Sequence, residues 1–528
     1  MPVVTSYPGL YIEEIPSNSH TISAAPTSIA VFVGYSHPHK TPAANLNVPV
    51  RIFSFSDYER EFGGFFQSGD LTQELPLAVY QFFLNGGSDA YVVALRAQYL
   101  DSKTPPTSQG FVNESYLPTV IVSTGSKTGL VFTAKEFVDR VDMVLTVSNV
   151  RSSSALGTPL DTFDLAITYG TKVETYRGLL LTASPTTVYE QISAASTLVS
   201  VTADSKGTGT DIAGGKYVFA QPVVIGLGGT FTASDFVNIF QADTPLDKVQ
   251  IFNLLLTPGI IDPSVQAAAL AFAERKRAFA ILDPPLQSAP TTDPLQPALI
   301  PMDTWIEGVP KSQNAAVYFP YLNSLDPSTG LPIEVAPSGY VAGIYARTDT
   351  NRGVWKAPAG IEMTINNTTG VVRRGDLTDS RHGVLNQKGI NCLRNFPGTG
   401  PVVFGARTIV AENQAFQQSM YVSVRRMTLF IEQTLLANLR WVVFEPNAEP
   451  LWLAIQTSIR GFMRSLYDQG ALKGTTASQA FQVKCDSSTT TSDDINNGIV
   501  NIVVAFAPLK PAEFVVIKIA QLAGQTQA

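Results

Sequence analysis

The chain has 528 residues, which is long enough for two to four domains, each with an apolar core. Only 15% of the residues are charged, against about 25% in typical soluble domains, so we expect a surface rich in uncharged polar side chains or covered by other subunits. The formal net charge of -7 argues against a general nucleic-acid-binding protein, which needs a basic surface.

Cysteine usage and the N-terminal sequence indicate the compartment. Cys392 and Cys485 lack the spacing of metal ligands and are too few for a disulfide framework, which favours a reducing cytoplasm. The start, MPVVTSYPGL, has no basic segment followed by an apolar one, so we expect no signal peptide. Proline, glycine or charge interrupts every strongly apolar run, which predicts no membrane-spanning helix and no direct membrane insertion.

The first hundred residues predict an extended arm followed by a compact α/β unit. The segment TSYPGLYIEEIPSNSHT (5–21) opens with a Tyr-Pro-Gly turn and is too short to fold alone. TSIAVFVGYS (27–36) is a continuous apolar run, typical of a strand buried on both faces. Residues 51–64 predict a strand and a short helix, and residues 71–96 predict a helix followed by a strand.

Residues 101–222 differ in composition from their surroundings. They contain short alternating runs rich in threonine and serine, with few helical patterns, which predicts an inserted, mostly β domain.

From about residue 223 the α/β pattern returns. Asp262 as N-cap and Pro263 as the first helical residue start a helix between two apolar strands, so we expect parallel strands joined by a right-handed crossover.

The C-terminal part predicts two helices, over 422–447 and 449–469, followed by two strands. In the second helix Trp452, Ile455 and Ile459 lie on one apolar face, and Gly470 is the expected stop. After them, EFVVIKIAQ (513–521) alternates so that Val515 and Ile517 share one face. This pattern fits either a strand in the chain's own sheet or an arm that adds a strand to a neighbouring subunit's sheet.

No catalytic constellation is found in the sequence. The four histidines, His20, His37, His39 and His382, form no zinc-protease motif, and His382 is expected in a polar loop. Neither a nucleophile elbow nor a phosphate-binding loop with the required spacing occurs. We therefore expect no enzyme activity, no cofactor and no metal.

Two pairs of adjacent arginines, Arg373-Arg374 and Arg425-Arg426, leave two interpretations open. The plainer one is a solvated face or a salt bridge within the chain. The other is an ion pair across a subunit boundary.

Five stretches of the chain together carry a resemblance to a known protein family. They are YPGLYIEEIPS near the start, APSGYVAGIYARTDTNRGVWKAPAG (336–360), LNQKGINCLRNFPGTGPVVFGARTI (385–409), RWVVFEPNAEPLW (440–452) with GALKG (470–474), and VKCDSS (483–488) through APLKPAEFVVIKI (507–519). They resemble the contractile tail sheath family, which is shared by phage tails, R-type pyocins and extracellular contractile injection systems. The resemblance covers about 1–100 and 225–528.

The resemblance implies a structural subunit that assembles in the bacterial cytoplasm into a phage tail or a released injection particle. Such subunits stack as six-membered rings around an inner tube and later contract, which drives the tube through a target envelope. The expected partners are the chain itself, the inner tube protein, and baseplate and terminal cap proteins, with no nucleic acid. A static shell or coat protein without contraction is the alternative.

The resemblance also assigns candidate interface residues. The terminal arms of such subunits add strands to a neighbour's sheet, and a C-terminal helix faces the tube. For the charged residues of that helix, a solvated helix face is the alternative. The arm residues would be Tyr7, Leu10, Tyr11, Ile12, Glu13, Glu14 and Ile15 at the start, and Phe514, Val515, Val516, Ile517, Lys518 and Ile519 at the end. The tube-facing candidates are Arg460, Arg464 and Lys473.

The expected fold is therefore a multidomain α/β (α+β) chain whose sheath core is built from both chain ends. Its inserted mostly-β domain would face outward, and its terminal arms would be extended strands. The predicted parts are an N-terminal arm (1–22), a first core part (23–100), the insertion (101–222), an α/β sheath domain (223–360) that the family names subtilisin-like by fold only, a C-terminal core (361–508) and a C-terminal arm (509–528).

Overall fold

The computed structural model describes most of the chain from residue 20 to residue 518. The described residues are 20–37, 40–66, 73–95, 98–100, 109–110, 118–122, 129–135, 138, 142–153, 160–181, 192–203, 212–219, 229–230, 232–285, 302–372 and 377–518. The candidate arm residues Tyr7 to Ile15, the pair Arg373-Arg374 and Ile519 lie outside the described residues.

Strands occur along the whole described chain. In chain order they are β1 (Ala30–Tyr35), β2 (Val50–Ile52), β3 (Ala90–Leu95), β4 (Gln98–Leu100), β5 (Gln109–Gly110), β6 (Thr119–Val122), β7 (Leu130–Ala134), β8 (Met143–Ser153), β9 (Leu160–Tyr169), β10 (Lys172–Leu181), β11 (Val199–Ala203), β12 (Gly215–Val218), β13 (Gly229–Thr230), β14 (Leu254–Leu256), β15 (Phe279–Leu282), β16 (Ala315–Phe319), β17 (Leu322–Leu325), β18 (Pro332–Val335), β19 (Gly370–Val371), β20 (Ile390–Phe396), β21 (Gly400–Val403), β22 (Phe481–Lys484) and β23 (Val503–Phe506).

Helices lie mainly outside residues 101–222. They are α1 (Phe55–Phe62), α2 (Glu74–Leu84), α3 (Ala233–Ile239), α4 (Pro263–Lys276), α5 (Met302–Gly308), α6 (Ser338–Arg352), α7 (Asp379–Gln387), α8 (Val422–Asn438), α9 (Glu449–Asp468), α10 (Ala477–Ala480) and α11 (Ser492–Asn496). The mixture of several sheets with these helices confirms the expected α/β class.

The largest sheet has eight strands in the order β2-β3-β1-β14-β15-β16-β20-β21. Its six inner strands run parallel, and β2 and β21 pair antiparallel at the two edges. The parallel pairing of β14 and β15 around α4 confirms the predicted β-α-β unit, whose Asp262 side chain accepts from the amides of Ser264 and Val265. Strands from three of the predicted parts of the chain thus share one sheet.

Each face of this sheet carries its own apolar core because neighbouring residues of a strand point to opposite sides. Val31 and Val33 of β1 pack with α3, α4, α5 and α7 on one face. Ala30 and Phe32 pack with α1, α2, α6 and α8 on the other. Both cores are continuous from β1 to β20, so the sheet and its helices form one layered body.

Helices α2 and α6 approach each other closely, and glycine makes this contact possible. A Cβ at Gly343 would lie 2.6 Å from the carbonyl oxygen of Phe82. The same kind of clash would occur between a Cβ at Gly339 and the backbone of Ala78. The G-x-x-x-G spacing in residues 339–343 therefore sets the distance between the two helices.

The described residues between 118 and 219 form strands and one helical turn at 192–195. Two antiparallel sheets, β11-β7-β6 and β10-β9-β8-β12, enclose a separate apolar core that includes Phe132, Leu145 and Phe163. The boundaries of an inserted domain at 101 and 222, and its outward position, remain predictions.

The C-terminal part is built around α8, α9 and the two-stranded sheet β22-β23. The prediction that the first helix continues to residue 447 is wrong beyond Asn438, where the chain enters a 3-10 turn and then exposes Val443 and Phe444. These side chains no longer add to the buried face that stabilises α8. The second helix ends at Asp468, close to the predicted stop at Gly470 with its φ of 74°.

Candidate assembly interface

The apolar run near the C-terminus is largely exposed to solvent. Phe514, Val515, Val516 and Ile517 are between 74% and 80% exposed, and Lys518 is exposed as well. Residues 509–518 belong to no strand, so the described part of the predicted strand over 513–521 does not join the chain's own sheets. The reason is physical, since an extended segment becomes a strand only when another strand satisfies its backbone.

A single carboxylate fixes the start of this exposed run. Glu513 accepts hydrogen bonds from Arg407 Nε at 2.8 Å and Nη2 at 2.7 Å, from Asn386 Nδ2 at 2.7 Å and from the Tyr421 hydroxyl at 3.0 Å. Burial alone would raise the pKa of Glu513, but the hydrogen bonds from Arg407 and Asn386, the Arg407 charge and the Tyr421 hydroxyl together lower it. The carboxylate is thus held ionised at the base of the segment.

The small sheet β22-β23 offers an edge to an incoming strand. Its two strands pair antiparallel from Phe481 opposite Phe506 to Lys484 opposite Val503. The Val483 carbonyl accepts from Gln456 Nε2 and Arg460 Nη2, both at 3.3 Å, so side chains of α9 cover β22. Among the described strands, β23 pairs with β22 alone, and two strands by themselves are only marginally stable.

The described chain begins at a second anchored segment. The ring of His20 stacks on Trp441 with centroids 3.9 Å apart. Ser23 exchanges two hydrogen bonds with the side chain of Asn438, and the amide of Ala25 donates to the Thr434 hydroxyl. The segment therefore runs along α8, and any N-terminal arm starts beside Trp441.

The three tube-facing candidates are all exposed, and two of them already have partners in the chain. Arg464 Nε contacts both carboxylate oxygens of Asp468, at 2.9 and 3.1 Å, while Arg460 donates to the Val483 carbonyl. Lys473 lies beyond the end of α9, and its backbone amide donates to Ala507. Arg460 and Arg464 lie four residues apart on one side of α9, but these contacts also fit the alternative of a solvated face.

Other sequence candidates for chemistry lie in structural positions. His382 lies in helix α7 and not in a loop, because the Thr378 side chain caps the helix through the amide of Arg381. Burial and the nearby Arg394 lower the pKa of His382. Both cysteines are buried free thiols. Within the described ranges, no group of three or more His, Cys, Asp or Glu is arranged to hold a metal ion.

The second arginine pair is resolved in favour of contacts within the chain. Arg426 forms an ion pair with Asp349 in which both side chains are only 3% exposed. Arg425 donates to Asn314 Oδ1 at 2.6 Å. The interpretation of Arg426 as a partner across a subunit boundary is therefore wrong, because it is enclosed by its own subunit.

Two family models match the chain, one next to the other. The model of the phage tail sheath protein central domain matches residues 246–409, and that of the phage tail sheath C-terminal domain matches residues 414–521. Together they cover just over half of the chain. The chain belongs to the phage tail sheath family. Because this is a family of structural proteins, the sheath chain is a structural protein and not an enzyme.

Individual relatives agree with the family. A Pseudomonas aeruginosa protein described as a prophage major tail sheath protein is 27% identical over 277 residues, which are 51% of this chain and 65% of the relative. The match thus spans less than two thirds of that relative's length.

Solved structures share the fold over nearly the whole chain. A chain of the extracellular contractile injection system PVC sheath complex in its contracted state matches with a TM-score of 0.58 and 22% identity, over 98% of each chain. A chain of the six-fold symmetrised anti-feeding prophage baseplate matches with a TM-score of 0.56 and 23% identity, over 98% of this chain and 99% of that one. None of the described helices of the sheath chain could span a membrane.

Sequence reasoning missed the residues that anchor the arm segments. Glu513 stood out only as an acidic residue next to an apolar run, and nothing near it in the sequence points to Arg407 or Asn386. The signal available was the sudden change from Pro511 and a charged residue to four apolar residues, which marks a boundary but not its partners.

Proposed function

We propose that this chain is the subunit of a contractile sheath that polymerises as stacked six-membered rings around an inner tube. Contraction of the sheath would drive the tube through a target envelope. The observation that carries the proposal is the exposed apolar run 514–517, which starts at an anchored residue and has no partner among the described strands. Family membership supports the same role.

The C-terminal run is suited to strand addition. Phe514 and Val516 would lie on one face of a strand, and Val515 and Ile517 on the other. Burying one such apolar side chain stabilises an interface by about 1.5–3 kcal/mol, and each backbone hydrogen bond adds about 1 kcal/mol. Ordering the backbone costs about 1–2 kcal/mol per residue, so a single arm binds weakly. A lattice that repeats this contact in every subunit becomes stable because the many weak contacts add up.

The N-terminal arm is the proposed second link. Residues Tyr7 to Ile15 would hold a neighbouring subunit beside a C-terminal strand, and the free edge of β23 is the proposed acceptor. Contacts of this head-to-tail kind form a ring where the rotation closes and a helical filament where it does not. Arms that stay paired while the bodies rotate would allow contraction without disassembly.

The proposed partners are further copies of the chain, the inner tube protein, and baseplate and terminal cap proteins. Arg460, Arg464 and Lys473 are proposed to face acidic groups on the tube. A static shell that never contracts is the alternative, and it differs in having one lattice where a sheath has two.

Electron microscopy of the chain, expressed alone and then with its candidate tube protein, tests the proposal. We expect hollow tubes from the chain alone and longer, narrower sheaths when the tube protein is present. Identical lattices under both conditions and after contraction triggers would favour the static shell. Monodisperse particles under both conditions would refute self-assembly.

Deletion of residues 1–19 tests the N-terminal arm while leaving the stack of His20 on Trp441 in place. We expect folded subunits that no longer form tubes. Normal tube formation and contraction of the deleted chain would refute the role of this arm.

Charge reversal tests the tube-facing helix. In the double variant Arg460→Glu and Arg464→Glu we expect loss of assembly on the tube. The exposed pair with Asp468 contributes at most about 1 kcal/mol, so the subunit should stay folded. The matched control reverses Arg51 and Arg60, which are 45% and 66% exposed elsewhere on the body. If both variants assemble equally well on the tube, the charges of Arg460 and Arg464 play no part in the interface.

A further inference from the structure

We propose that Glu513 and Arg407 form a clamp that positions the C-terminal arm and sets the register in which it pairs. This inference rests on the proposed function, because it concerns how the arm is delivered to a neighbour. In this role Glu513 and Arg407 are positioning residues, since the pairing itself is made by the residues that follow.

The clamp joins three separated segments to one carboxylate. Arg407 follows β21, Asn386 lies in α7, and Tyr421 is the N-cap residue of α8. Both guanidinium nitrogens that face Glu513 bind it, and the side chains of Arg407 and Glu513 are only 11% and 20% exposed. A paired charge in such a site keeps a defined geometry that surface pairs lack.

Glu513 lies at the boundary between a hydrogen-bonded segment of the chain and an exposed one. Before it, the Ala507 amide donates to Ala480, the Lys473 amide donates to Ala507, and Leu472 forms a bridge with Pro508. After it, the four apolar side chains of 514–517 are exposed. The clamp therefore defines the first residue of the arm that is available for pairing.

A fixed first residue decides which face of the arm is buried. Side chains alternate along a strand, so a slip of one residue exchanges Phe514 and Val516 for Val515 and Ile517 at the buried face. Within 514–517 both faces are apolar, and only Lys518 on the Phe514 face distinguishes them, so the side chains alone specify the register weakly. The clamp supplies the missing constraint, because it holds position 513 at one place on the body.

Cleavage by glutamyl endopeptidase after Glu513 reports directly on the clamp. The protease must bind the Glu513 side chain itself, so it cuts only when the carboxylate has left Arg407. In the full-length Arg407→Gln variant we expect removal of residues 514–528 to be at least about tenfold faster than in the unmodified chain. Cleavage at other exposed glutamates should not change. Asn386→Ala, which removes one hydrogen bond, should accelerate it about threefold.

The matched control is Arg352→Gln, since the Arg352 guanidinium is 53% exposed and pairs with Glu362 instead. We expect no change in cleavage after Glu513 there. If Arg407→Gln fails to fold, as shown by circular dichroism, the Asn386→Ala variant carries the same test. Unchanged cleavage in the folded variants would overturn the clamp.

Assembly separates this inference from the proposed function. In Arg407→Gln, which weakens the clamp, we expect sheaths with an irregular lattice. Arg407→Lys keeps the positive charge, so it should form a more regular lattice than Arg407→Gln. Regular sheaths from Arg407→Gln would overturn the positioning role. Deletion of residues 514–528 should abolish assembly. If that deletion has no effect, the proposed arm fails, whereas the cleavage result still decides whether the clamp exists.

Discussion

The buried ion pair between Arg426 and Asp349 gives the strongest stability prediction. Arg426 Nη1 contacts Asp349 Oδ1 at 2.9 Å and Nη2 contacts Oδ2 at 2.6 Å, with both side chains 3% exposed. The same guanidinium donates to the Thr27 carbonyl at 2.9 Å and lies 4.7 Å from the centre of the Tyr345 ring. One side chain thus joins α6, α8 and the segment that precedes β1.

Asp349→Ala should lower the free energy of unfolding by about 3–5 kcal/mol, because it leaves the Arg426 charge buried without its counter-ion. The matched control is Asp89→Ala. Arg51 binds Asp89 with the same two-pronged geometry, at 2.9 and 2.6 Å, but the Arg51 side chain is 45% exposed. Solvent screening there limits the expected loss to about 1 kcal/mol or less.

Urea unfolding followed by circular dichroism and tryptophan fluorescence measures both variants. A third variant, Asp349→Leu with Arg426→Met, removes both charges and should recover most of the lost stability. Equal losses for Asp349→Ala and Asp89→Ala would refute the reasoning that burial, and not geometry, decides the cost. A double variant as unstable as Asp349→Ala would show that the uncompensated charge is not the cause.

Three further predictions concern single positions. Asp262→Ala removes the cap of α4 and should cost about 1 kcal/mol in urea unfolding. Gly343→Ala should cost about 1–3 kcal/mol in the same assay, despite the better helix propensity of alanine, because its Cβ would meet the backbone of α2. Burial and the neighbouring Asp283 raise the pKa of Glu74 to about 8, so its contribution to stability is present below about pH 4 and is lost as the pH rises through 8. We therefore expect the thermal stability of Glu74→Gln to fall less between about pH 4 and 8 than that of the unmodified chain. An equally steep fall in the variant would contradict this prediction.

Features that depend on neighbouring residues could be predicted from the sequence. The Asp262-Pro263 pair marked the start of α4, and the apolar spacing of Trp452, Ile455 and Ile459 marked the buried face of α9. Capping and helical periodicity act within a few residues, so the sequence contains them in full. The same reasoning failed at the end of α8, where the apolar pattern continues past Asn438 but the chain turns and leaves Val443 and Phe444 exposed.

Contacts between distant residues could not be predicted in this way. Asp349 and Arg426 are 77 positions apart, and Arg407 and Glu513 are 106 apart. None of these four residues indicated its partner in the sequence, and even the Arg425-Arg426 pair fitted a solvated surface as well as a salt bridge. The strand order of the large sheet is equally non-local. Strand β1 lies between β3 and β14, and the chain that separates β3 from β14 forms other sheets.

Helix α8 connects the two proposed arms. The segment that leads to the N-terminal arm bonds to Thr434 and Asn438 near one end of the helix, while Tyr421 at the other end bonds to Glu513. With 17 residues, α8 spans about 25 Å. Both arms therefore leave the body at a separation that one rigid element fixes. Rotation of a subunit would then carry both starting points together, and any change in lattice spacing would have to be taken up in the arm residues beyond them.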